Sequence, residues 1–383
     1  MILTTKQRFD IDPIRGVVAI SLAVLHFYVA SDLSGRFDQL FGNTGKWIVW
    51  NIRFGVESFF VLAGLLLAYS LRPVPGARLS IGGYLLRRFV RLVIPLWIAI
   101  WLVAANQWLP TLLGISTHTP PSTLREILIH MTFLDELFGI RNAAIGYWSM
   151  VSLEQFYILY ILCFYVVGKL TQFAGKTQLW DHERWMAHLV LMVALSSAGW
   201  VIFRYQTGMP GQDATHPELN SPYAAQFKVT TFAMFLCLGI LLFWAVRCGF
   251  ARIHCGLAFA AVLSVGIFAG NNQQLAWKAC LMAVILIPLS KGIQFPKNWL
   301  TRGLAFVGKR SYSLYLMHPI IGYRVLLVDR KLHQLGNWVV VFELIFAVAC
   351  SIIGAYLFYR FVEGRCLQLA QKIQYRPQPV SGT

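Results

Sequence analysis

The sequence predicts an all-α polytopic membrane protein, and three observations carry that expectation. Of the 383 residues, 57% are hydrophobic and only 13% charged, where a soluble globule carries about 25% charged residues. The mean hydropathy is +0.60, and the apolar residues gather into stretches of about 20, the length a helix needs to cross roughly 30 Å of hydrocarbon. Finally, 13 Trp and 15 Tyr suit a chain with two aromatic interfaces to anchor. The same balance excludes disorder. A nucleic-acid binder fits poorly despite the formal charge of +17, because 33 Lys and Arg face only 16 Asp and Glu. The excess reflects scarce acids as much as abundant bases.

Ten stretches read as spans: about 14–32, 53–71, 90–108, 147–168, 186–203, 226–246, 253–270, 275–290, 311–328 and 338–359. The eighth is short and the fourth carries Glu154. Segment 109–146 contains Pro110, Pro120 and Pro121 and then an amphipathic piece, Arg125–Met131, which reads as an interfacial or re-entrant element rather than a span. No linker or low-complexity tract interrupts the chain. The expectation is therefore a single membrane domain over residues 1–365, a short cytoplasmic tail over 366–383 and no appended soluble domain. The seven cysteines (Cys163, Cys237, Cys248, Cys255, Cys280, Cys350, Cys366) form no C-x-x-C pair and lie mostly in apolar runs, where a thiol is usually a small core residue. No metal site is expected.

Positive charge orients the helices. With the N-terminus inside, segments 1–15, 72–91, 169–185, 247–252, 291–310 and 360–383 face the cytoplasm and hold 22 of the 33 Lys and Arg, including Arg72, Arg78, Arg87, Arg88 and Arg91 in one loop. An even number of spans then puts both termini inside. Val29-Ala30-Ser31 resembles a weak cleavage site, but Asp10 and Asp12 spoil the basic region a signal peptide needs, so the first span reads as an uncleaved anchor.

A charge at the centre of a span costs about 2.5–3.5 kcal/mol on insertion scales, so each one needs a reason. Four titratable residues stand out: His26, Glu57, Glu154 and His318. His26 follows Arg15 by eleven residues, a rise of about 16 Å along a helix. The running direction of the other helices puts all four at mid-to-outer depth. One alone is commonly a helix–helix hydrogen bond; four together point to a functional cavity. Glu343, with no motif around it, reads as packing glue.

Five blocks surround these residues. Arg15 and His26 form an Arg-x10-His pair. Gly55-Val56-Glu57-Ser58-Phe59-Phe60-Val61-Leu62-Ala63-Gly64 opens the second span, and Arg87-Arg88-Phe89-Val90-Arg91 supplies an Arg-x-x-Arg pair before the third. Trp148-Ser149-Met150-Val151-Ser152-Leu153-Glu154-Gln155-Phe156-Tyr157 begins the fourth, and Gly308-Lys309-Arg310-Ser311-Tyr312-Ser313-Leu314-Tyr315-Leu316-Met317-His318-Pro319 begins the ninth. In this order the blocks resemble the membrane acyltransferase-3 family, from about residue 8 to 325. Two positions depart from the family pattern: Ala63 stands where a serine is usual, and Leu153 where a second acid is usual.

The resemblance implies an O-acyltransferase of the bacterial inner membrane that uses acyl-CoA, most often acetyl-CoA, as a donor substrate, with no permanently bound cofactor. It implies a lipid-linked or exported glycan as acceptor, such as a surface polysaccharide or lipopolysaccharide. Residue chemistry and placement then put catalysis on His26, Glu57 and Glu154, and acyl-CoA binding on Arg15, Arg87, Arg88 and Arg91, of which the family pattern itself carries Arg88 and Arg91. His318, Tyr157, Trp148 and Ser149 fall to the site or to its support. Arginine suits CoA phosphates through bidentate hydrogen bonds; composition alone would have these arginines satisfy the positive-inside rule and bind anionic lipid. His26 would act as general base, carry the acyl group briefly or position the donor, with a carboxylate, Glu57 first and Glu154 second, fixing its ring. A second class of function stays open, a transporter or flippase in which the buried His and Glu residues relay protons, although no repeated halves are visible. Expected partners are acyl-CoA, the glycan and membrane lipid, with a second copy of the chain left open, and no nucleic acid.

Reporter fusions test the topology. A fusion at the C-terminus should report a cytoplasmic location, and fusions near residues 120 and 212 an extracytoplasmic one; an extracytoplasmic C-terminus overturns the orientation.

Overall fold

Apolar segments divided by polar connectors become helices wherever the computed structural model is described, over residues 10–29, 33–52, 54–72, 79–112, 121–135, 138, 140, 143–144, 146–175, 181–207, 228–247, 249–269, 273–328 and 338–375. The chain runs through α1 (Asp12–Val29), α2 (Leu33–Ile52), α3 (Val56–Leu71) and α4 (Ile81–Arg88), which continues through a π turn (Phe89–Val93) into α5 (Ile94–Leu112). There follow α6 (Leu124–Met131), α7 (Tyr147–Phe173), α8 (Asp181–Gln206), α9 (Lys228–Arg247), α10 (Arg252–Phe268), α11 (Gln273–Ser290), α12 (Trp299–Gly308) and α13 (Ser311–Val328). The last, α14 (Val339–Phe358), passes through a second π turn (Tyr359–Glu363) into α15 (Gly364–Lys372). No strand occurs among the described residues.

Each of the ten apolar stretches falls on a helix. Six helical stretches among the described residues are long and apolar enough to cross a bilayer: Asp12–Val29, Ile81–Pro110, Tyr147–Phe173, Asp181–Gln206, Val229–Arg247 and Val339–Lys372. Val56–Leu71, Arg252–Phe268 and Gln274–Ser290 are apolar but shorter. The amphipathic piece of segment 109–146 forms α6, opened by a capping box in which Glu126 N–H donates to Thr123 Oγ1 (3.3 Å) and Thr123 N–H to Glu126 Oε2 (2.7 Å). Two elements go beyond the sequence expectation. Helix α2, kinked at Gly42 where φ is +59°, fills what reads as a loop. Helix α15 occupies the start of the expected tail, with Cys366 and Ala370 buried; Pro377 and Pro379 lie outside the described residues, as do Arg78, Pro120 and most of loop 204–225.

The helices form two halves. In one, α9 is nearly encased by α3, α8, α10 and α11. In the other, α1 packs on α12 and α13, and α13 on α14 and α5. Outer faces stay apolar, as on α14 with Phe342, Ile345 and Phe346, which suits contact with lipid. Inside a bilayer, helices attract by close van der Waals contact rather than by expelling water, so small residues mark the crossings. A Cβ on Gly64 would stand 2.0 Å from the Leu236 carbonyl oxygen, and one on Gly239 2.0 Å from that of Val61. The α3–α9 crossing therefore has glycine facing backbone on both sides. A second crossing, α1 on α12, uses Gly16 and Gly308 in the same way.

Gly64→Ala and Gly239→Ala should each lower the thermal unfolding midpoint in detergent, an overpacking cost of about 1–3 kcal/mol. The double variant should lose less than the sum, since either methyl separates the same helices; fully additive losses would contradict the shared crossing.

Candidate functional site

Where the two halves meet, the bundle encloses a cavity of about 280 Å³. Its polar lining includes Arg15 from α1, Arg87 and Arg88 from α4, Arg91 from the first π turn, and Glu154 and Tyr157 from α7. A π turn inserts an extra residue into the helical ladder and is frequent at functional sites; here Arg87, Arg88 and Arg91 all reach the same space. The second π turn contributes Glu363, which accepts from the backbone N–H of Ser313 (3.1 Å) and from its hydroxyl. Four guanidinium groups thus face two carboxylates, and the cavity is basic.

Arg88 is the most constrained of the four. Its Nε and Nη2 donate to the two carboxylate oxygens of Glu154 at 3.3 and 3.4 Å, and its guanidinium carbon lies 3.2 Å from the centroid of the Tyr157 ring. Arg15 donates to Asp12 Oδ1 (3.3 Å) and to Ser311 Oγ (2.9 Å). That second bond ties α1 to the first residue of α13.

One level above, the same two helices meet again. His26 Nδ1 lies 2.8 Å from His318 Nε2, with the rings stacked at 5.0 Å between centroids. His318 Nδ1 turns back on the Leu314 carbonyl, one helical turn earlier, at 3.1 Å. A carbonyl only accepts, so that nitrogen carries the proton. When both rings are neutral, His318 then offers Nε2 as acceptor, His26 Nδ1 is the donor, and the lone pair of His26 lies on Nε2. The ring that fixes the His26 tautomer is thus an imidazole, where a carboxylate was expected.

Tyr315 stands between the two levels. It lines the cavity, its ring lies 5.8 Å from that of His318, and its hydroxyl donates to the Gly146 carbonyl. With its one proton spent there, it accepts from Ser149 Oγ–H at 2.6 Å. Gly146 caps α7 with φ +87°, and a Cβ on it would stand 2.9 Å from both His26 Cε1 and the Tyr315 oxygen. Glycine is required here twice over, by backbone conformation and by space.

The candidate residues therefore divide. Arg15, Arg87, Arg88, Arg91, Glu154 and Tyr157 share the cavity, while His26, His318 and Ser149 meet above it through Tyr315. Glu154 belongs to the arginine level. Glu57 is fully buried and turns back on its own helix, where Oε1 accepts from Gly55 N–H at 2.8 Å; a carboxylate suits a helix N-terminus. Trp148 packs on Phe232 (4.9 Å between centroids) in the half around α9. The two departures from the family pattern, Ala63 and Leu153, are both wall residues of the cavity.

Beside the five sequence blocks and the basic cavity under an imidazole pair stands a direct comparison: the family model described as an acyltransferase domain matches residues 8–360. The chain belongs to the acyltransferase-3 family. No curated protein and no solved structure matches it. Membership, with its apolar helices, makes this a multi-pass membrane protein and a membrane acyltransferase. Within this acyltransferase the cavity also draws on Tyr84, Ser311, Tyr315, Glu363 and Tyr375, which the sequence reading did not single out. Ser311 and Tyr315 did leave a signal, seven and three residues before His318 and so on the same helical face.

Removing one partner from a buried ion pair strands the other charge, at a cost of about 3–5 kcal/mol. Glu154→Ala should destabilise the protein by that order, and Arg88→Met combined with Glu154→Leu should recover most of it. A double-mutant cycle on unfolding in detergent measures this; a coupling energy near zero would mean the two side chains are independent.

Proposed function

We propose that the protein transfers an acyl group, acetyl first among them, from cytoplasmic acyl-CoA to a hydroxyl of a lipid-linked or exported glycan, in the bacterial inner membrane. In this reading ten spans form one membrane domain with both termini in the cytoplasm. The observation that carries it is the two-level arrangement along α1: an arginine-lined cavity at the level of Arg15 and an imidazole pair at the level of His26, joined at Tyr315. The separation of Arg15 and His26, about 16 Å at the helical rise, is of the scale a pantetheine arm spans.

The residues divide the work accordingly. Arg15, Arg87, Arg88 and Arg91 bind the donor phosphates by charge-assisted hydrogen bonds. Glu154 and Tyr157 hold the Arg88 fork in register, two N–H groups on the carboxylate and its face on the ring. Above them His26 Nε2 takes the proton of the acceptor hydroxyl as its oxygen attacks the thioester carbonyl. The tetrahedral oxyanion collapses, the C–S bond breaks, and the proton passes to the departing CoA thiolate. His318 is a positioning residue: it holds the His26 ring in the tautomer that presents a lone pair. The match of the acyltransferase family model to residues 8–360 favours this reading over a transporter.

Loss of a general base typically costs about 10²–10⁴ in rate. His26→Gln and His26→Ala should lose that much transfer to glycan from radiolabelled acetyl-CoA while still binding acyl-CoA. His318→Ala should also lose turnover, and His318→Gln, which can accept from His26 Nδ1–H, should restore part of it. Near-parental turnover in His26→Gln would rule out the base.

A further inference from the structure

Helix α12 lies outside the cavity and, at ten residues, is too short to span. Its face with Leu304 and Gly308 packs on the start of α1, where a Cβ on Gly308 would collide with the Asp12 carbonyl. The opposite face is open. Trp299, Arg302, Phe306 and Lys309 follow one another at spacings of three, four and three, which puts them in one stripe along the helix. All four are exposed, and Trp299, at 83% exposure, is nearly bare. The stripe starts from a fixed point, since Asn298 Oδ1 accepts from Thr301 N–H at 2.8 Å and caps the helix.

Phe306 has a partner within the protein: the guanidinium carbon of Arg310 lies 3.8 Å from its ring centroid. Trp299, Arg302 and Lys309 differ. Among the described residues, neither cation has a carboxylate within ion-pair distance. The surrounding sequence supplies no counter-charge either. Segment 291–310 holds five bases (Lys291, Lys297, Arg302, Lys309 and Arg310) and no acid, and Lys291 and Lys297 are exposed as well.

We infer that the α12 stripe binds anionic phospholipid: Arg302 and Lys309 take the headgroup phosphate, and Trp299 lies beside it among the headgroups. In a protein whose outer faces are apolar, the neighbour of a bare indole is lipid, and tryptophan gathers at the headgroup level. Long cations run their stems along apolar surface and leave the charge at that same level. The counter-charge that the protein lacks here is what an anionic leaflet offers. Orientation of the helices depends on the count of Lys and Arg in a segment, so it does not ask for cations in register with an indole on one helix face. The inference goes beyond acyl transfer and needs neither the donor nor the acceptor named above.

The test uses the full-length protein in detergent, titrated with phosphatidylglycerol and with phosphatidylcholine of the same chains, and reads bound lipid by native mass spectrometry. The parent should bind phosphatidylglycerol more tightly than phosphatidylcholine. Arg302→Gln combined with Lys309→Gln should weaken phosphatidylglycerol binding about thirty-fold, the order of two cations at an anionic surface, and leave phosphatidylcholine binding unchanged. Lys169→Gln combined with Lys372→Gln, the same charge change at two other exposed positions, should bind both lipids like the parent. Equal weakening by the two double variants would mean that binding follows net charge, and would overturn the inference, as would a parent that does not distinguish the two lipids. Displacement of phosphatidylglycerol by equimolar inorganic phosphate would make this a site for free anions and contradict a lipid surface. A parent dimer that Trp299→Ala separates would assign the stripe to a second copy of the chain and likewise overturn it.

Discussion

The Arg88–Glu154 pair is the contact on which the cavity depends. An isolated charge inside a membrane bundle is costly, and here four guanidinium groups open on one space. The pair removes part of that cost where the cluster is deepest. Both oxygens of Glu154 and the face of Tyr157 are committed to one guanidinium, so α4 and α7 are held together with the fork aimed along a fixed direction. Arg15 does the same for α1 and α13 through Ser311. The basic cavity therefore exists because each cation in it is also a link between helices.

Above that level the constraint changes from charge to tautomer. The histidine pair carries its own orientation through the Leu314 carbonyl, one helical turn before His318 on α13. Gly146 then lets α7 begin close enough for Tyr315 to stand between the cavity and the imidazoles, in contact with both levels. Both devices are local in sequence, yet their effect is to set two functional levels on one helix at a spacing that a long, thin donor arm can bridge.

Much of this was legible beforehand. The apolar stretches became helices because hydropathy at this length has one stable outcome in a bilayer. The family resemblance, through the Arg-x10-His and Arg-x-x-Arg spacings, pointed to Arg15, His26, Arg88 and Arg91, and of these only His26 also stood out by its cost within a span. Pairing was harder to read. Glu154 was expected near His26 and sits with Arg88, because relative rotation of α4 and α7 depends on a π turn that no propensity announces. His318 was known as a buried polar group, but only the fold shows that it faces His26. Helix α2 carries Arg36, Asp38 and Lys46 among its apolar residues, so it gave no span signal, and Tyr375 acts across most of the chain length, beyond any periodicity.

The claim that joins these parts is that one donor molecule spans both levels. A structure of the full-length protein with a non-transferable acetyl-CoA thioether tests it most directly. The account predicts phosphates on Arg87, Arg88 and Arg91, with the thioether sulfur beyond Tyr315 at the level of His26. An analogue bound outside the cavity, or inside it with its acyl end at the arginines, would contradict it.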